Sequence, residues 1–232
     1  MKLYKHYSFD LWMTLIRSNP AFKSARTKFF YDNFNHHEKT LEDVGIIFRQ
    51  IDVMCNAINE KTGGNIDAEE MYLMVISAMN NYHYPLQDID TNALYAEMEQ
   101  LVFTYTPVFY SIETLEVLYK LKQNAGESTF SLLSNTAFIK GSTLRTVLQM
   151  MELDNYFDFQ LYSDETGMSK PNKQLFKLMI NTIEERRPAA LTLQDIVHIG
   201  DNAKADGWGA NEAGISSILI NSNEQTITNL LN

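Results

Sequence analysis

Four short segments carry the side chains of this chain that are able to do chemistry together. They are Asp10-Leu-Trp12-Met-Thr14, Ser134-Asn135-Thr136, Lys170-Pro171 and Gly200-Asp201-Asn-Ala-Lys-Ala-Asp206. Carboxylate oxygens are ligands that Mg²⁺ prefers, and a carboxylate can act as a nucleophile when nearby cations offset its repulsion from an anionic substrate. The segments therefore indicate a site in which an aspartate attacks an anionic group, helped by a lysine and a divalent cation.

All four segments lie at or just after the ends of predicted strands. The predicted strands are short runs rich in apolar residues: Leu3 to Phe9, 129–135, 157–164, 195–202 and 216–222. Helical patterns separate these runs. Strands that alternate with helices predict a parallel, Rossmann-like α/β sheet, and such sheets bind ligands beyond the carboxyl ends of their strands. The four segments should therefore meet at one end of the sheet.

A long helical region is inserted after the first predicted strand. Residues 10–128 separate the first two strands, far more than an ordinary crossover connection contains. The clearest apolar stripe in this region comprises Leu41, Val44, Ile47, Phe48, Ile51, Met54 and Ile58. Asp67 and Glu70 resemble a capping pair at the start of another helix. We predict an inserted helical cap domain at residues 17–106, and a catalytic core formed by residues 1–16 and 107–232.

Composition and charge argue against several classes of protein. The formal net charge of −10 disfavours a nucleic-acid-binding surface, because such binding depends on clustered Lys and Arg. The first ten residues lack the features of a signal peptide, and no apolar run approaches the ~18 residues of a membrane span. The single Cys55 cannot form an internal disulfide bond. We therefore expect a soluble, cytoplasmic monomer or homodimer that binds neither nucleic acid nor a membrane.

The order of these motifs resembles that of the haloacid-dehalogenase-like hydrolases. Gly167-Met-Ser-Lys170-Pro171 resembles the Gly-x-x-Lys-Pro pattern of that superfamily, and Gly200-Asp201 with Asp206 resembles its last motif. The position of the inserted helices is similar to that in the helical-cap group. The resemblance implies an enzyme, and we expect a Mg²⁺-dependent phosphatase that acts on a small phosphorylated metabolite through an aspartyl-phosphate intermediate.

The resemblance also implies where the metal ion binds. The expected Mg²⁺ ligands are the carboxylates of Asp10 and Asp201 and the backbone carbonyl of Trp12. Asp206 is assigned to the same metal site, in a position where it orients metal-bound water or Lys170. Asp201 and Asp206 reach one small ion together only if the loop between them curls.

The other assigned residues act on the nucleophile or the substrate. Asp10 is the expected nucleophile, and Lys170 supplies positive charge to it and to the phosphoryl group. Ser134, Asn135 and Lys170 are expected to bind the substrate, with the Ser134 hydroxyl donating to a phosphate oxygen. By resemblance, Thr14 forms a hydrogen bond near the nucleophile and fixes its loop.

Trp12 is the position at which the chain departs from its apparent relatives. Phosphatases of this superfamily usually carry an aspartate there and use it as general acid and base. The 2-haloacid dehalogenases of the same fold have an aromatic residue instead, but they lack the metal-binding form of the last motif. Two alternatives therefore stay open: a 2-haloacid dehalogenase, and a weakly active or regulatory binding protein. If another residue donates the proton, the first candidates are Tyr82, His83 and Tyr84 of the predicted cap.

Overall fold

A central sheet of five parallel strands organises the molecule. The computed structural model describes residues 3–124, 128–186 and 191–231. The strands, in chain order, are β1 (His6–Phe9), β2 (Ile16–Arg17), β3 (Val108–Phe109), β4 (Thr129–Ser134), β5 (Phe159–Tyr162), β6 (Ile196–Gly200) and β7 (Ser216–Leu219). The parallel sheet has the order β5-β4-β1-β6-β7, so the winding direction reverses beside β1. The predicted α/β fold is confirmed.

The helices divide into those inserted after β2 and those that flank the sheet. In chain order they are α1 (Pro20–Phe34), α2 (Leu41–Thr62), α3 (Ala68–Met79), α4 (Thr91–Thr104), α5 (Thr114–Asn124), α6 (Gly141–Met150), α7 (Ser163–Thr166), α8 (Lys173–Arg186) and α9 (Gly209–Glu212). The first four lie within the range predicted to form the cap. Within the described parts of the chain, no helix is both long and apolar enough to cross a membrane.

Both faces of the sheet are buried, because successive side chains of a strand point to opposite sides. Tyr7 and Phe9 of β1 point to one face, where their ring centroids lie 5.4 and 5.6 Å from that of Phe130. Helices α5 and α6 pack against this face. The neighbouring residue Ser8 points to the opposite face, which α8 and α9 cover. This layer order explains why the strands consist mostly of buried residues.

The inserted helices begin and end at local sequence signals. Thr40 and Asp43 cap α2 reciprocally: Thr40 Oγ1 accepts from Asp43 N at 3.1 Å, and Asp43 Oδ2 accepts from Thr40 N at 2.9 Å. Gly63 ends this helix with a φ of 73°, a conformation that favours glycine. At the start of α3, Glu70 Oε2 accepts from Asp67 N at 3.1 Å, as the predicted capping pair requires.

The predicted apolar stripe of α2 is only partly buried. Val44, Phe48 and Ile51 belong to the buried core, but three predicted members are exposed: Leu41, Met54 and Ile58. The buried face continues through Cys55 and Asn59 instead, at spacings of three and four residues. The prediction was wrong at the three exposed positions, because apolar side chains lie on both faces of this helix.

The two passages between the sheet and the inserted helices are held side by side. Ile16–Arg17 of β2 pairs in antiparallel fashion with Val108–Phe109 of β3. Beside this pair, Asn19 Nδ2 donates to the carbonyl oxygen of Thr106 at 3.1 Å. The chain therefore enters and leaves the helical region through one hydrogen-bonded connection.

The inserted helices have their own buried cluster, which also takes in a residue from the loop after β4. Phe138 packs among α1, α2 and α3, and its carbonyl oxygen accepts a hydrogen bond from the Tyr72 hydroxyl at 2.9 Å. A second contact joins Gly63 at the end of α2 to the loop before α8, where Ser169 N donates to Gly63 O at 3.1 Å. The division into a cap of residues 17–106 and a separate core stays a prediction.

Candidate active site

Asp10 lies directly after β1, the central strand of the sheet. Its backbone N–H donates to Ile199 O at 2.8 Å, which continues the ladder between β1 and β6 by one residue. The chain then turns sharply, with Met13 at a φ of 61°. This turn brings Thr14 back, and its hydroxyl donates to Asp10 Oδ2 at 3.0 Å. The Asp10 carboxylate is therefore fixed at the carboxyl end of the sheet, and it is only 6% exposed.

Lys170 is buried between two carboxylates. Its ammonium group donates to Asp10 Oδ1 at 2.7 Å and to Asp206 Oδ1 at 2.7 Å. Asn135 holds the backbone of this lysine from both sides: Asn135 Oδ1 accepts from Lys170 N at 2.7 Å, and Asn135 Nδ2 donates to Lys170 O at 3.0 Å. The structure therefore gives Asn135 a positioning contact with Lys170, and its predicted contact with substrate stays a prediction.

Ser134 ends β4 beside the predicted nucleophile. Its hydroxyl lies 3.4 Å from Asp10 Oδ1 and 3.2 Å from the carbonyl oxygen of Asn135. The first contact is weak at this length. The hydroxyl therefore keeps the freedom to rotate toward a group that enters the site.

Asp201 and Asp206 lie beside Asp10. One carboxylate oxygen from each of the three residues lies within 4.8 Å of the others. The loop curls as one π-helical turn, Ala203–Trp208, which returns Asp206 toward the end of β6. A Cβ atom at Gly200 would overlap the Asp206 carboxyl group, so glycine is needed at that position. The sequence spacing alone did not predict this curled loop.

Charge is unbalanced in this cluster. Burial raises the pKa of Asp10 to about 6, although Lys170 opposes the shift and Asp206 adds to it. Burial and the charge of Asp206 raise the pKa of Asp201 to about 6. Burial works against Asp206 too, but Lys170 and His198 hold the pKa of Asp206 below its usual range. The cluster thus contains three carboxylates but only one lysine, and this donor set fits a divalent cation.

A comparison with protein families identifies the fold that carries this cluster. A family model described as a haloacid dehalogenase-like hydrolase matches residues 4–214. The chain is a haloacid dehalogenase-like hydrolase. The predicted family resemblance and the prediction of an enzyme are both confirmed.

Two curated proteins share part of their sequence with this hydrolase. The ribulose-1,5-bisphosphate 5-phosphatase of Halopiger xanaduensis is 31% identical over 90 residues, which make up 37% of this chain and 35% of that protein. The rhythmically expressed gene 2 protein of Drosophila melanogaster is 35% identical over 77 residues, or 33% of this chain and 28% of that protein. The similarity thus spans about a third of the length of these relatives.

Solved structures share the whole architecture at low sequence identity. The HAD-hydrolase YfnB of Bacillus subtilis, solved bound to magnesium, matches with a TM-score of 0.70 and 20% identity, covering 97% of this chain and 92% of that one. The 2-haloacid dehalogenase of Pseudomonas syringae matches with a TM-score of 0.63 and 17% identity, covering 96% and 89%. At this level of identity the matches establish the fold alone.

His198 is a buried part of the site of this hydrolase that the sequence did not predict. Its Nε2 lies 3.1 Å from Asp206 Oδ1, and its Nδ1 lies 2.9 Å from the Ser8 hydroxyl. Burial, together with the charge of Lys170, lowers the pKa of His198, so the ring is neutral at pH 7. Since an ionised carboxylate only accepts hydrogen bonds, Nε2 carries the proton and Nδ1 accepts from Ser8. The one available signal was a polar pair, Ser8 and His198, directly opposite each other on neighbouring buried strands.

Trp12 lies half-buried beside Asp10 in this hydrolase and lines the cleft. An indole donates one hydrogen bond and has no proton to exchange at neutral pH. None of the three candidate donors is among the described residues that line the cleft. Tyr82 is 78% exposed, and the ring of Tyr84 packs against Phe34. The proton donor proposed for Tyr82, His83 or Tyr84 is therefore not supported by their position.

The cleft lies between the carboxyl end of the sheet and the inserted helices, and its volume is about 1080 Å³. Asp10, Lys170, Asp201 and Asp206 form its floor. Side chains of α1 and α2 form the opposite wall, among them Phe22, Lys23, Arg26, Phe48, Arg49 and Asp52. A cleft of this size holds a metabolite together with water.

Proposed function

We propose that this hydrolase is a metal-dependent phosphatase for small phosphorylated metabolites, with Asp10 as the nucleophile. The observation that carries the proposal is a cluster of three carboxylates with one lysine, Lys170, which contacts two of them. A phosphate ester brings further negative charge, so a site with this imbalance needs one more cation before the substrate can approach Asp10.

Residues at the floor of the cleft would hold this cation. Asp10 and Asp201 offer carboxylate oxygens, and the carbonyl of Trp12 lies in the same turn. Asp206 lies within reach as well, but both of its oxygens already accept hydrogen bonds, from Lys170 and His198 and from Asn202 N at 2.9 Å. When bound, Mg²⁺ supplies positive charge to the phosphoryl oxygens and to the nucleophile.

The protein's own residues carry the transfer. A carboxylate oxygen of Asp10 attacks phosphorus in line, a bond forms between them, and the bond from phosphorus to the ester oxygen breaks. The ester oxygen leaves as an anion and takes a proton from water. Lys170 keeps Asp10 ionised and oriented through its 2.7 Å hydrogen bond. The Ser134 hydroxyl, which is weakly held, turns to a phosphoryl oxygen. Water then attacks the aspartyl-phosphate, and inorganic phosphate leaves with Asp10 restored.

The partial relative from Halopiger xanaduensis supports a phosphatase, because its name gives a sugar bisphosphate as substrate. One observation favours a second candidate, a 2-haloacid dehalogenase. Trp12 offers no proton for the leaving group, and a halide leaves without one. In that reaction Asp10 would attack a carbon atom and displace the halide. Asp201 argues against it, because a second carboxylate beside Asp10 weakens the nucleophile unless a cation balances it.

The experiment compares both reactions in one preparation. Phosphate release from a panel of phosphate esters and halide release from 2-haloacids are measured with Mg²⁺ and with EDTA. We expect Mg²⁺-dependent phosphate release that Asp10→Asn lowers by about four orders of magnitude or more, with unchanged circular dichroism. Halide release that persists in EDTA would favour the dehalogenase. No turnover of either class would favour the weakly active binding protein.

A further inference from the structure

Arg26 of α1 is a buried cation in the wall of the cleft. The residue is 8% exposed, and it lines the same cleft as Asp10. Its Nε atom is buried and donates no hydrogen bond. Within residues 3–124, 128–186 and 191–231, no carboxylate oxygen lies within 4.0 Å of its guanidinium group.

Aromatic rings surround the guanidinium group of Arg26. Its Cζ atom lies 4.0 Å from the ring centroid of Phe48, 4.6 Å from that of Phe138 and 5.3 Å from that of Phe22. Burial lowers the pKa of Arg26, whereas a hydrogen bond to the Tyr72 hydroxyl favours its charged form. This neutral partner does not balance the charge of the guanidinium group. The guanidinium group stays protonated at neutral pH, because its ordinary pKa is above 12.

The nearby acidic residue does not neutralise this cation. Asp52 is near enough to favour the charged form of Arg26, but its own ion pair is with Arg49, at 3.2 Å. Arg49 is exposed and already paired, and Lys23 is exposed. Arg26 is therefore the buried cation of the described cleft wall whose charge has no carboxylate in contact.

Keeping a charge buried without an anionic partner is costly, and contacts with ring faces recover only part of the cost. An anionic group that enters the cleft would complete the set of contacts. A guanidinium group offers a planar fork that suits both carboxylate and phosphate oxygens. The aromatic rings limit the directions in which the side chain can turn, so the fork is held in place before the ligand arrives.

We propose that Arg26 binds a second anionic group of the substrate, a carboxylate or a phosphate, at the opposite end from the group that reacts with Asp10. The proposal rests on the proposed function, because it takes Asp10 as the reacting end. The substrate class is a phosphate monoester that carries another acid group. Arg26 is a specificity-determining residue, and Asp10, Lys170 and Ser134 handle the transferred group.

The test uses matched pairs of substrates that differ only in charge. One pair is 4-carboxyphenyl phosphate and 4-carbamoylphenyl phosphate, and the other is phosphoglycolate and its amide. For the natural protein we expect kcat/KM to be higher for the acid of at least one pair. In Arg26→Gln and Arg26→Met this preference should fall by about tenfold or more, because kcat/KM falls more for the acids than for the amides.

Lys28→Gln is the matched control. Lys28 lies on the same helix, and its substitution removes the same charge. Its side chain is exposed, is paired with Asp32 at 2.8 Å and does not line the cleft. The acid-to-amide ratio should not change in this variant. Melting curves of all variants check the fold. If Arg26 only packs the helices, its variants should lose activity equally on acids and amides, and that result would overturn the proposal.

A binding measurement separates this proposal from the phosphatase activity itself. Phosphonoacetate and its amide are not hydrolysed, and their affinities are measured by calorimetry in the presence of Mg²⁺. We expect tighter binding of phosphonoacetate and the loss of that difference in Arg26→Gln. This result would support the proposal even if no ester were hydrolysed. An acid-to-amide difference that is absent, or that survives in both Arg26 variants, would overturn it, whatever the outcome for Asp10.

Discussion

Two buried cations line the same cleft, and they differ in whether a carboxylate contacts them. Lys170 on the floor contacts two carboxylates, each at 2.7 Å. Arg26 in the opposite wall contacts aromatic rings, and no carboxylate lies within ion-pair distance among the described residues. The charge of the lysine is thus paired within the protein, whereas that of the arginine has no carboxylate partner in the described residues. Under the two proposals above, reaction takes place at the strand ends and substrate recognition involves the inserted helices.

Of the substitutions considered, Lys170→Met should lower the free energy of unfolding most. Replacing Lys170 with Met leaves Asp10 and Asp206 buried without their shared cation, which should cost about 3–5 kcal/mol of unfolding free energy. Urea unfolding in EDTA measures this loss. A change below about 1 kcal/mol would mean that the two carboxylates take up protons or rearrange at little cost, and that the floor is less preorganised than its hydrogen bonds indicate.

The floor lacks a proton donor at position 12, and Trp12→Asp tests whether this limits the rate. We expect turnover of alkyl phosphates to rise by roughly 10²-fold, the lower end of what general acid catalysis provides. The exchange of a half-buried ring for a small carboxylate will also lower stability. Rates over a series of esters should fall steeply with leaving-group pKa in the natural protein and less steeply in the variant. An equally flat dependence in both proteins would point to another proton donor.

His198 contacts Asp206 at the floor of the cleft, and its replacement should lower stability less than that of Lys170. His198→Phe removes one donor to Asp206 and leaves the Ser8 hydroxyl unpaired, which should cost about 1–3 kcal/mol in stability. We expect kcat to fall while KM changes little, because Lys170 loses part of its alignment rather than its charge. Ser8→Ala keeps the bond from His198 to Asp206 and serves as the milder control. Equal kcat values in all three proteins would contradict a positioning role.

The smallest expected effect on stability has the opposite sign. Arg26→Met replaces a buried charge that lacks a carboxylate partner with an apolar side chain of similar length, inside a cluster of aromatic rings. We expect unfolding free energy to stay the same or to rise by about 1–2 kcal/mol in the absence of ligand, in contrast to Lys170→Met. Chemical unfolding of both variants under one set of conditions provides the comparison. A loss as large as that of the lysine variant would make Arg26 a structural residue.

The sequence predicts those parts of the fold that depend on local patterns. The five strands alternate with amphipathic helices, and Asp67 with Glu70 forms a capping pair within four residues, so both could be recognised from the sequence. The motif residues lie at or after strand ends, and they come close together because a parallel sheet places these ends side by side. Asp10, Lys170 and Asp201 could therefore be named, although their individual roles stay predictions.

The rest depends on contacts between distant parts of the chain. The burial of Arg26 requires Phe138, which comes from the loop after β4, and no periodicity links the two positions. His198 would be read as an ordinary strand residue until its distance to Asp206 is known. On α2, apolar residues occupy two faces, so the pattern could not decide between Met54 and Cys55 as the buried residue.

Phe138 also limits how this enzyme can be rebuilt by exchanging parts. Its ring and carbonyl group belong to the cluster of the inserted helices through Phe48 and Tyr72, yet the residue is encoded outside residues 17–106. A chimera that received only those residues from a relative would keep Phe138 opposite helices that did not evolve with it. Grafts intended to transfer substrate preference should therefore include the loop after β4. A cut made only at the two passages near Arg17 and Pro107 would divide the wall of the cleft between two parents.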